Sequence, residues 1–359
     1  MRIPGLIDVH VHLRQPGGEQ KEDLSSGTAA ALAGGVTMVL DMPNNTPPTV
    51  DERTLIQKRR LAGEHALCDV GFHVGATETN APQAAALATQ ATGLKLFLDD
   101  THGPLRVRNL EALLAHFRTW PASRPICVHA EGTSAAMAIG LARSFGRRLH
   151  ICHVGAASEI ALIRAAKESG ADLTCEVAPH HLFLTEADAQ RLGPYGHVKP
   201  PLATEADRAA LWANLDVIDC IATDHAPHTR AEKEGPTPPP GMPGLETMLP
   251  LMLTAVAEGR LSLERLIELT HDAPLRIFGL PTQPDTWVEV DANARYSLSH
   301  DGLHTRCGWT PFDGMTVQGR VRRVVLRGQT VVEAGRLQAR PGLARVVVPD
   351  GPRVSNTEA

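Results

Sequence analysis

Aromatic residues are scarce: two tyrosines, four tryptophans and seven phenylalanines in 359 residues. Apolar residues still make up 43% of the chain, so its core must be aliphatic and alanine-rich. A chain of this length can bury such a core without covalent staples. No apolar run is long enough to span a bilayer. No N-terminal stretch resembles a signal peptide, because Asp8 and His10 interrupt the first apolar run. Six cysteines are present without a CxxC pair, and Cys68, Cys127, Cys152, Cys175 and Cys220 sit in short aliphatic runs. They read as buried reduced thiols, which makes the cytoplasm the expected location. Excess positive charge is also missing. A net charge of -5 argues against a nucleic-acid-binding surface. The one basic run, Arg320 to Arg327, alternates partly with Val and Leu and reads as a solvated strand face.

What the chain has in excess is histidine, 17 in all. It also alternates β-type runs with Ala/Leu/Glu-rich helical stretches. Eight strands are expected at Gly5–Leu13, Val36–Met42, Cys68–Gly75, Gly93–Leu98, Pro125–His129, Leu149–Val154, Asp172–Val177 and Val217–Thr223. Their near-continuous apolar character suits parallel strands buried on both faces. Eight strand-then-helix units predict an α/β fold, a (β/α)8 TIM barrel. The segment Gly235–Gly244 is dense in Pro and Gly and taken alone reads as a rigid loop or linker. Helices are expected around Leu245–Glu258 and Ser262–Thr270, and strands again from Trp287, notably Gly319–Leu326 and Gln329–Ala334. The expected organisation is a hydrolase barrel over 1–280, a small β appendage over 281–349 and a disordered tail over 350–359.

The polar residues cluster at the C-terminal ends of the expected strands, which in such a barrel converge on one mouth. His10 and His12 are two apart on the first strand, so both point to one side and can share a metal. Alone the pair is weak, since a chain this rich in His shows roughly one HxH by accident. His129 and His153 end two further strands and form a second ligand pair. Asp224 ends the eighth strand, next to the first, and adds a carboxylate. Four imidazoles with carboxylate oxygen favour zinc. Lys95 lies within a buried strand. An ammonium cannot ligate a metal, but a buried lysine's neutral amine can react with carbon dioxide, and the carbamate so formed can bridge two ions.

The stretches PGLIDVHVHLR, GGVTMVLDMPNN, GLKLFL, PICVHAE, HICHV, CEVAPHHLFL, ATDHAPH and PPPGMPGLETMLPL run from residue 4 to about residue 252. With them the chain closely resembles the dihydroorotases, cyclic amidohydrolases, and most of all the dihydroorotase domain of animal multifunctional pyrimidine-synthesis polypeptides. A weaker likeness continues through WTPFDGMTVQGRVRRVVLRG. The resemblance implies two zinc ions, one held by His10, His12, Lys95 and Asp224 and the other by Lys95, His129 and His153. It implies that Lys95 is N6-carboxylated. Arg14 and Asn44 would hold the substrate carboxylate, and His228 with the backbone near Pro240 would contact the ring, which makes the Pro-rich segment part of the pocket rim. Asp224 would move the proton between the attacking oxygen and the ring nitrogen. The implied reaction is the reversible closure of N-carbamoyl-L-aspartate to dihydroorotate in UMP synthesis. A homodimer and an aspartate transcarbamoylase partner are implied too, with no membrane or nucleic acid.

Three positions depart from the family pattern or stand out within it. Lys199 replaces an arginine, keeping the charge and losing the fork. The mobile loop after the fourth strand carries Thr101 and His102 where animal-type members have Thr-Phe, so the apolar lid contact is lost. Cys152 and Glu176 match positions that could hold an additional zinc in the animal-type domain. Simple alternation next to His153 points Cys152 away from the main site and favours a buried thiol instead. A hydantoinase or allantoinase shares the ligands, and a non-catalytic dihydroorotase-like scaffold would lack some of them. Arg14, Asn44 and the run at 224–228 speak for dihydroorotase.

Overall fold

The computed structural model describes residues 1–350. Nine of the ten residues expected to form the tail, 351–359, lie outside the described residues. Strands β1 (Arg2–Pro4), β2 (Leu6–Val11), β3 (Val36–Asp41), β4 (Asp69–Gly75), β5 (Gly93–Phe97), β6 (Ile126–His129), β7 (Leu149–Ile151), β8 (Leu173–Val177) and β9 (Cys220–Ile221) open the chain. Those from β2 to β9 form one eight-stranded parallel sheet in sequence order. The seam between β9 and β2 is closed by a Val11–His225 bridge. Below it the Asp8 carboxylate accepts bonds from the Thr223 amide and, at 2.5 Å, its hydroxyl. The result is the expected TIM barrel.

Helices cover the outside: α1 (Leu24–Ala33), α2 (Glu52–His65), α3 (Ala81–Ala86), α4 (Leu110–Thr119), α5 (Thr133–Phe145), α6 (Ala157–Glu168), α7 (Pro179–Phe183), α8 (Glu186–Leu192), α9 (Glu205–Ala213), α10 (Arg230–Lys233) and α11 (Met248–Ala257). Side-chain caps mark several of their starts. Asp23, Asp51 and Thr204 each accept a first-turn amide that has no partner within the helix. The core between helices and strands is mainly Ala, Val, Leu and Ile, as the shortage of aromatics required. All six cysteines are free and buried. Among the described residues no helix is long and apolar enough to cross a membrane.

Most of the expected barrel strands are trimmed at their ends in the structure, and in the sixth and eighth a backbone turn accompanies the loss. The sixth stops at Ile151, because His153 turns into the left-handed region at φ 35°. The eighth keeps only Cys220–Ile221 and turns at Asp224, φ 46°. The helix expected to end at Thr270 continues through a π turn, Glu268–Asp272, into Ala273–Phe278. Pro274, lacking an N–H, cannot continue a regular ladder there.

The remaining strands, β10 (Trp287–Ser297), β11 (Thr316–Leu326), β12 (Gln329–Glu333) and β13 (Arg336–Leu337), form an antiparallel appendage in the order β1-β10-β11-β12-β13. Its first strand comes from the chain's start. Three residues carry no periodic signal, so β1 was invisible in the sequence. The basic run on β11 and just past it is partnered: Arg322 with Asp291 at 2.7 Å, Arg323 with Glu333 at 2.5 Å and, beyond the strand, Arg327 with Asp69 of β4 at 2.6 Å. Arg320 stacks on Tyr296 at 3.9 Å.

Candidate metal centre

The C-terminal ends of the barrel strands surround a narrow pocket. Its wall includes His10, His12, Arg14, Asn44, Thr101, His102, His129, His153, Lys199, Asp224 and Pro240, residues the sequence scatters over 230 positions. Three of them hold left-handed backbone without being glycine: Arg14 at φ 62°, His153 at 35° and Asp224 at 46°. Each such residue costs about 1–3 kcal/mol, and the cost is tolerated where the turn aims a side chain into the mouth.

Two pairs of ligand atoms face each other there. Asp224 Oδ1 lies 3.3 Å from His10 Nε2 and 3.0 Å from His12 Nε2. His129 Nδ1 faces His153 Nε2 at 2.9 Å. Zinc bonds of 2.0–2.1 Å in a tetrahedron set neighbouring ligand atoms about 3.3 Å apart, so both spacings suit a shared ion. Burial pushes His12 down to about 3 and lowers His129 and His153 too, which keeps these rings neutral with a lone pair to give. Burial alone would raise the Asp224 carboxyl. The His10 and His12 rings overcome that and hold it well below the usual carboxylate range, so it stays ionised. His129 Nε2 and His153 Nδ1 are buried without a hydrogen-bond partner.

Lys95, from β5, lies beneath the pocket floor, fully buried. Among the described residues the only hydrogen bond of its side chain is to Cys152 Sγ, at 3.0 Å. Two other lysines are equally buried and behave differently. Lys58 meets three oxygens, Met42 O, Asn45 Oδ1 and Asp41 Oδ2, at 2.5–2.8 Å. Lys233 meets three carbonyls at 3.0–3.1 Å. An ammonium has three strong donors, and a thiol is a weak acceptor for one. The Lys95 ammonium therefore has one weak acceptor where each of the other two has three oxygens.

The expectation that Cys152 points away from the site fails. Alternation still holds at Cys152, whose amide donates to Val128 O at 3.0 Å, and it puts the residue on the same inner side as His150, with its sulfur against Lys95. The residue that breaks the pattern is His153, turned left-handed. Ligand atoms of His10, Cys152 and Glu176 all fall within 4.8 Å of one another. That cluster is already bonded internally. Glu176 Oε1 accepts a short hydrogen bond from His10 Nδ1, and Oε2 lies 3.0 Å from His150 Nε2. Carboxylates placed behind a ligating histidine fix its ring and tautomer. His150, buried on β7, was not singled out in the sequence, where it looks like a strand residue in HICHV.

The expected substrate contacts divide. Arg14, Lys199 and Pro240 line the pocket. Asn44 lines it as well, but its Oδ1 is 2.7 Å from His12 Nδ1 and its amide donates to His102 O at 3.2 Å. It thus orients a ligand ring and ties down the Thr101–His102 loop. His228 is fully buried behind the wall, bonded to Pro240 O at 3.0 Å and 3.2 Å from Arg14 Nη2. Burial, with Arg14 and Lys21 nearby, holds its ring neutral. The His102 ring stands edge-on to His228, 5.0 Å between centroids, in the place of an apolar lid contact.

Residues 1–283 match the amidohydrolase family. The chain is 50% identical over 348 residues to the multifunctional protein CAD of Squalus acanthias, covering 97% of itself. It spans 16% of the length of that relative. To a dihydroorotase of Pyrococcus furiosus it is 35% identical over 367 residues, covering 96% of this chain and 84% of the other. Its fold matches an L-hydantoinase of Arthrobacter aurescens with a TM-score of 0.93 at 27% identity, covering 97% of this chain and 89% of that one.

Proposed function

The chain belongs to the amidohydrolase family and groups there with the dihydroorotases, and on that footing we propose that it catalyses the metal-dependent, reversible closure of N-carbamoyl-L-aspartate to dihydroorotate. The observation that carries this reading is the pair of cations, Arg14 and Lys199, on the wall that also holds His10, His12 and Asp224. Dihydroorotate is a cyclic amide bearing a carboxylate, whereas hydantoin and allantoin bear none. A guanidinium beside the metal ligands is of use to the first and idle for the others.

His10, His12, Asp224 and carboxylated Lys95 would hold one zinc ion, and Lys95, His129 and His153 the other. The all-oxygen saturation of Lys58 and Lys233, against the lone thiol partner of Lys95, supports the modification. When bound, the ions supply Lewis acidity at the amide carbonyl. The chain's own groups do the rest. Arg14 and Lys199 hold the substrate carboxylate and orient the ring. Asp224, ionised between two imidazoles, takes a proton from the attacking water and returns it to the ring nitrogen as the C–N bond breaks. Ring closure runs the same transfers backwards. The Thr101–His102 loop, tied to Asn44, shields the mouth from bulk water. Glu176 and His150 orient His10, while an additional zinc at Cys152 and Glu176 would have to displace those bonds.

The test is turnover by zinc-loaded protein of dihydroorotate and N-carbamoyl-L-aspartate beside hydantoin and allantoin. Hydrolysis of either neutral ring with no dihydroorotate turnover would refute the assignment. Sizing the purified chain, alone and mixed with an aspartate transcarbamoylase, checks the homodimer and the partnership that the resemblance implies.

A further inference from the structure

The Pro-rich rim poses a structural problem. Residues 236, 238, 239, 240 and 243 are proline and have no N–H, so the segment is rich in acceptors and poor in donors. Its carbonyls must be met from outside. His197 Nδ1 meets Pro238 O at 2.9 Å, and His228 meets Pro240 O at 3.0 Å. The Ala226 amide meets Met242 O at 2.8 Å, and Pro239 O and Gly241 O fall to Lys233, at the end of α10. Its ammonium donates to Pro239 O at 3.0 Å, Gly241 O at 3.1 Å and His197 O at 3.1 Å.

Those three carbonyls belong to the two segments that form one side of the pocket. His197 precedes Val198 and Lys199; Pro239 and Gly241 flank Pro240; and Val198, Lys199, Pro240 and Gly241 all line the wall. The segments are joined once more by Gly241 N to His197 O at 3.0 Å. Gly241, at φ 138°, passes so close to Ala226 that a Cβ would lie 2.5 Å from its carbonyl oxygen. The rim is thus packed to a narrow tolerance. Lys233 is fully buried, and among the described residues it forms no ion pair. Burying an ammonium without a counter-ion is costly, and here the three carbonyls repay it, since an apolar side chain in the same space would leave them unmet. What an ammonium alone supplies is a simultaneous grip on three carbonyls.

We propose that Lys233 is a positioning residue of this site: it clamps the 197–199 and 239–241 segments together so that Lys199 and the Pro240–Gly241 backbone meet the carboxylate-bearing ring. The proposal rests on the dihydroorotase reading for its substrate, and on the three bonds for its mechanics. Lys233 touches neither substrate nor metal ligands. Its loss therefore acts on binding more than on the chemical step.

Lys233→Met and Lys233→Gln are compared with the unaltered protein by steady-state kinetics on dihydroorotate, by zinc content and by amide hydrogen exchange at Gly241. The expected result for Lys233→Met is a KM raised about tenfold or more, kcat within about threefold, unchanged zinc and faster exchange at Gly241. Lys233→Gln, with two N–H donors left, falls between. Unchanged KM and exchange in Lys233→Met overturns the proposal, as does a loss confined to kcat and zinc. If neither variant folds, Lys233 serves the fold and the proposal fails. If the unaltered protein turns over no dihydroorotate, the functional reading fails, while exchange at Gly241 still decides whether Lys233 holds the rim.

Discussion

Replacing Lys58 with Met removes one half of a buried ion pair beneath the pocket. Lys58 Nζ lies 2.8 Å from Asp41 Oδ2 and donates to Met42 O at 2.7 Å and Asn45 Oδ1 at 2.5 Å. Asp41 Oδ1 in turn accepts the Leu13 amide at 2.8 Å. Burial pushes the Asp41 carboxyl up and the Lys58 amine down, each opposed by the other's charge. Without Lys58 the carboxylate is left in the interior with no counter-ion, a loss of about 3–5 kcal/mol. Unfolding entropy of about 2.1 cal/mol/K per residue gives a chain this long about 0.75 kcal/mol/K, so Tm falls by about 4–7 °C. The pair also holds the residues beside Asn44 and Arg14, so KM for dihydroorotate rises with the loss of stability. Adding Asp41→Asn removes the stranded charge and should recover part of the Tm. The assay is thermal unfolding by circular dichroism at fixed zinc, with KM measured on the same samples. A Lys58→Met protein melting within about 1 °C of the unaltered one would refute the reasoning, because it would mean that Asp41 is not charged or is not isolated from water.

Lys95→Ala is expected to lose turnover and half or more of the bound zinc, and an added short-chain carboxylic acid should restore some of both; full activity without the lysine refutes the carbamate. Asp224→Asn should keep its circular-dichroism spectrum and lose turnover about 10²–10⁴-fold, the range for a positioned acid–base group, and surviving turnover would mean that another group carries the proton. His304, 3.2 Å from Glu246 Oε1, has its pKa raised by that hydrogen bond. A raised histidine stabilises fully below its unfolded value near 6.5 and loses the contribution as pH rises through the folded value. The Tm gap between the unaltered protein and His304→Gln, followed by calorimetry, should therefore shrink from pH 6 to pH 8.5; a gap that widens refutes the sign.

The barrel was legible because its signals are local. Eight apolar runs, each followed by a helical stretch, need only hydrogen bonding and burial to declare themselves, and polar residues at their C-terminal ends stood out against that background. His10, His12, His129, His153 and Asp224 could be named as candidate ligands because buried strands have few other reasons to end in such side chains, and the structure brings them to one pocket. β1 is too short to carry a period, and its partner lies more than 280 residues away. The side chains around the ligands were harder. Alternation counted back from His153 misplaced Cys152, because His153 itself is turned left-handed out of the strand pattern.

Lys58, Lys95 and Lys233 show most clearly where local reading stops. In the sequence all three are lysines; only Lys95 lies in an apolar run, and the other two sit on helices where solvated lysines are ordinary. Burial is a property of what packs above a residue, and the acceptors that meet an ammonium come from segments far along the chain. The sequence by itself determined the fold class and which polar side chains, His10, His12, Arg14, His129, His153, Lys199 and Asp224 among them, meet at the mouth. Only the tertiary structure decided which buried cation is saturated by oxygen and which faces a thiol, because that depends on distances between backbones that no spacing along one strand encodes.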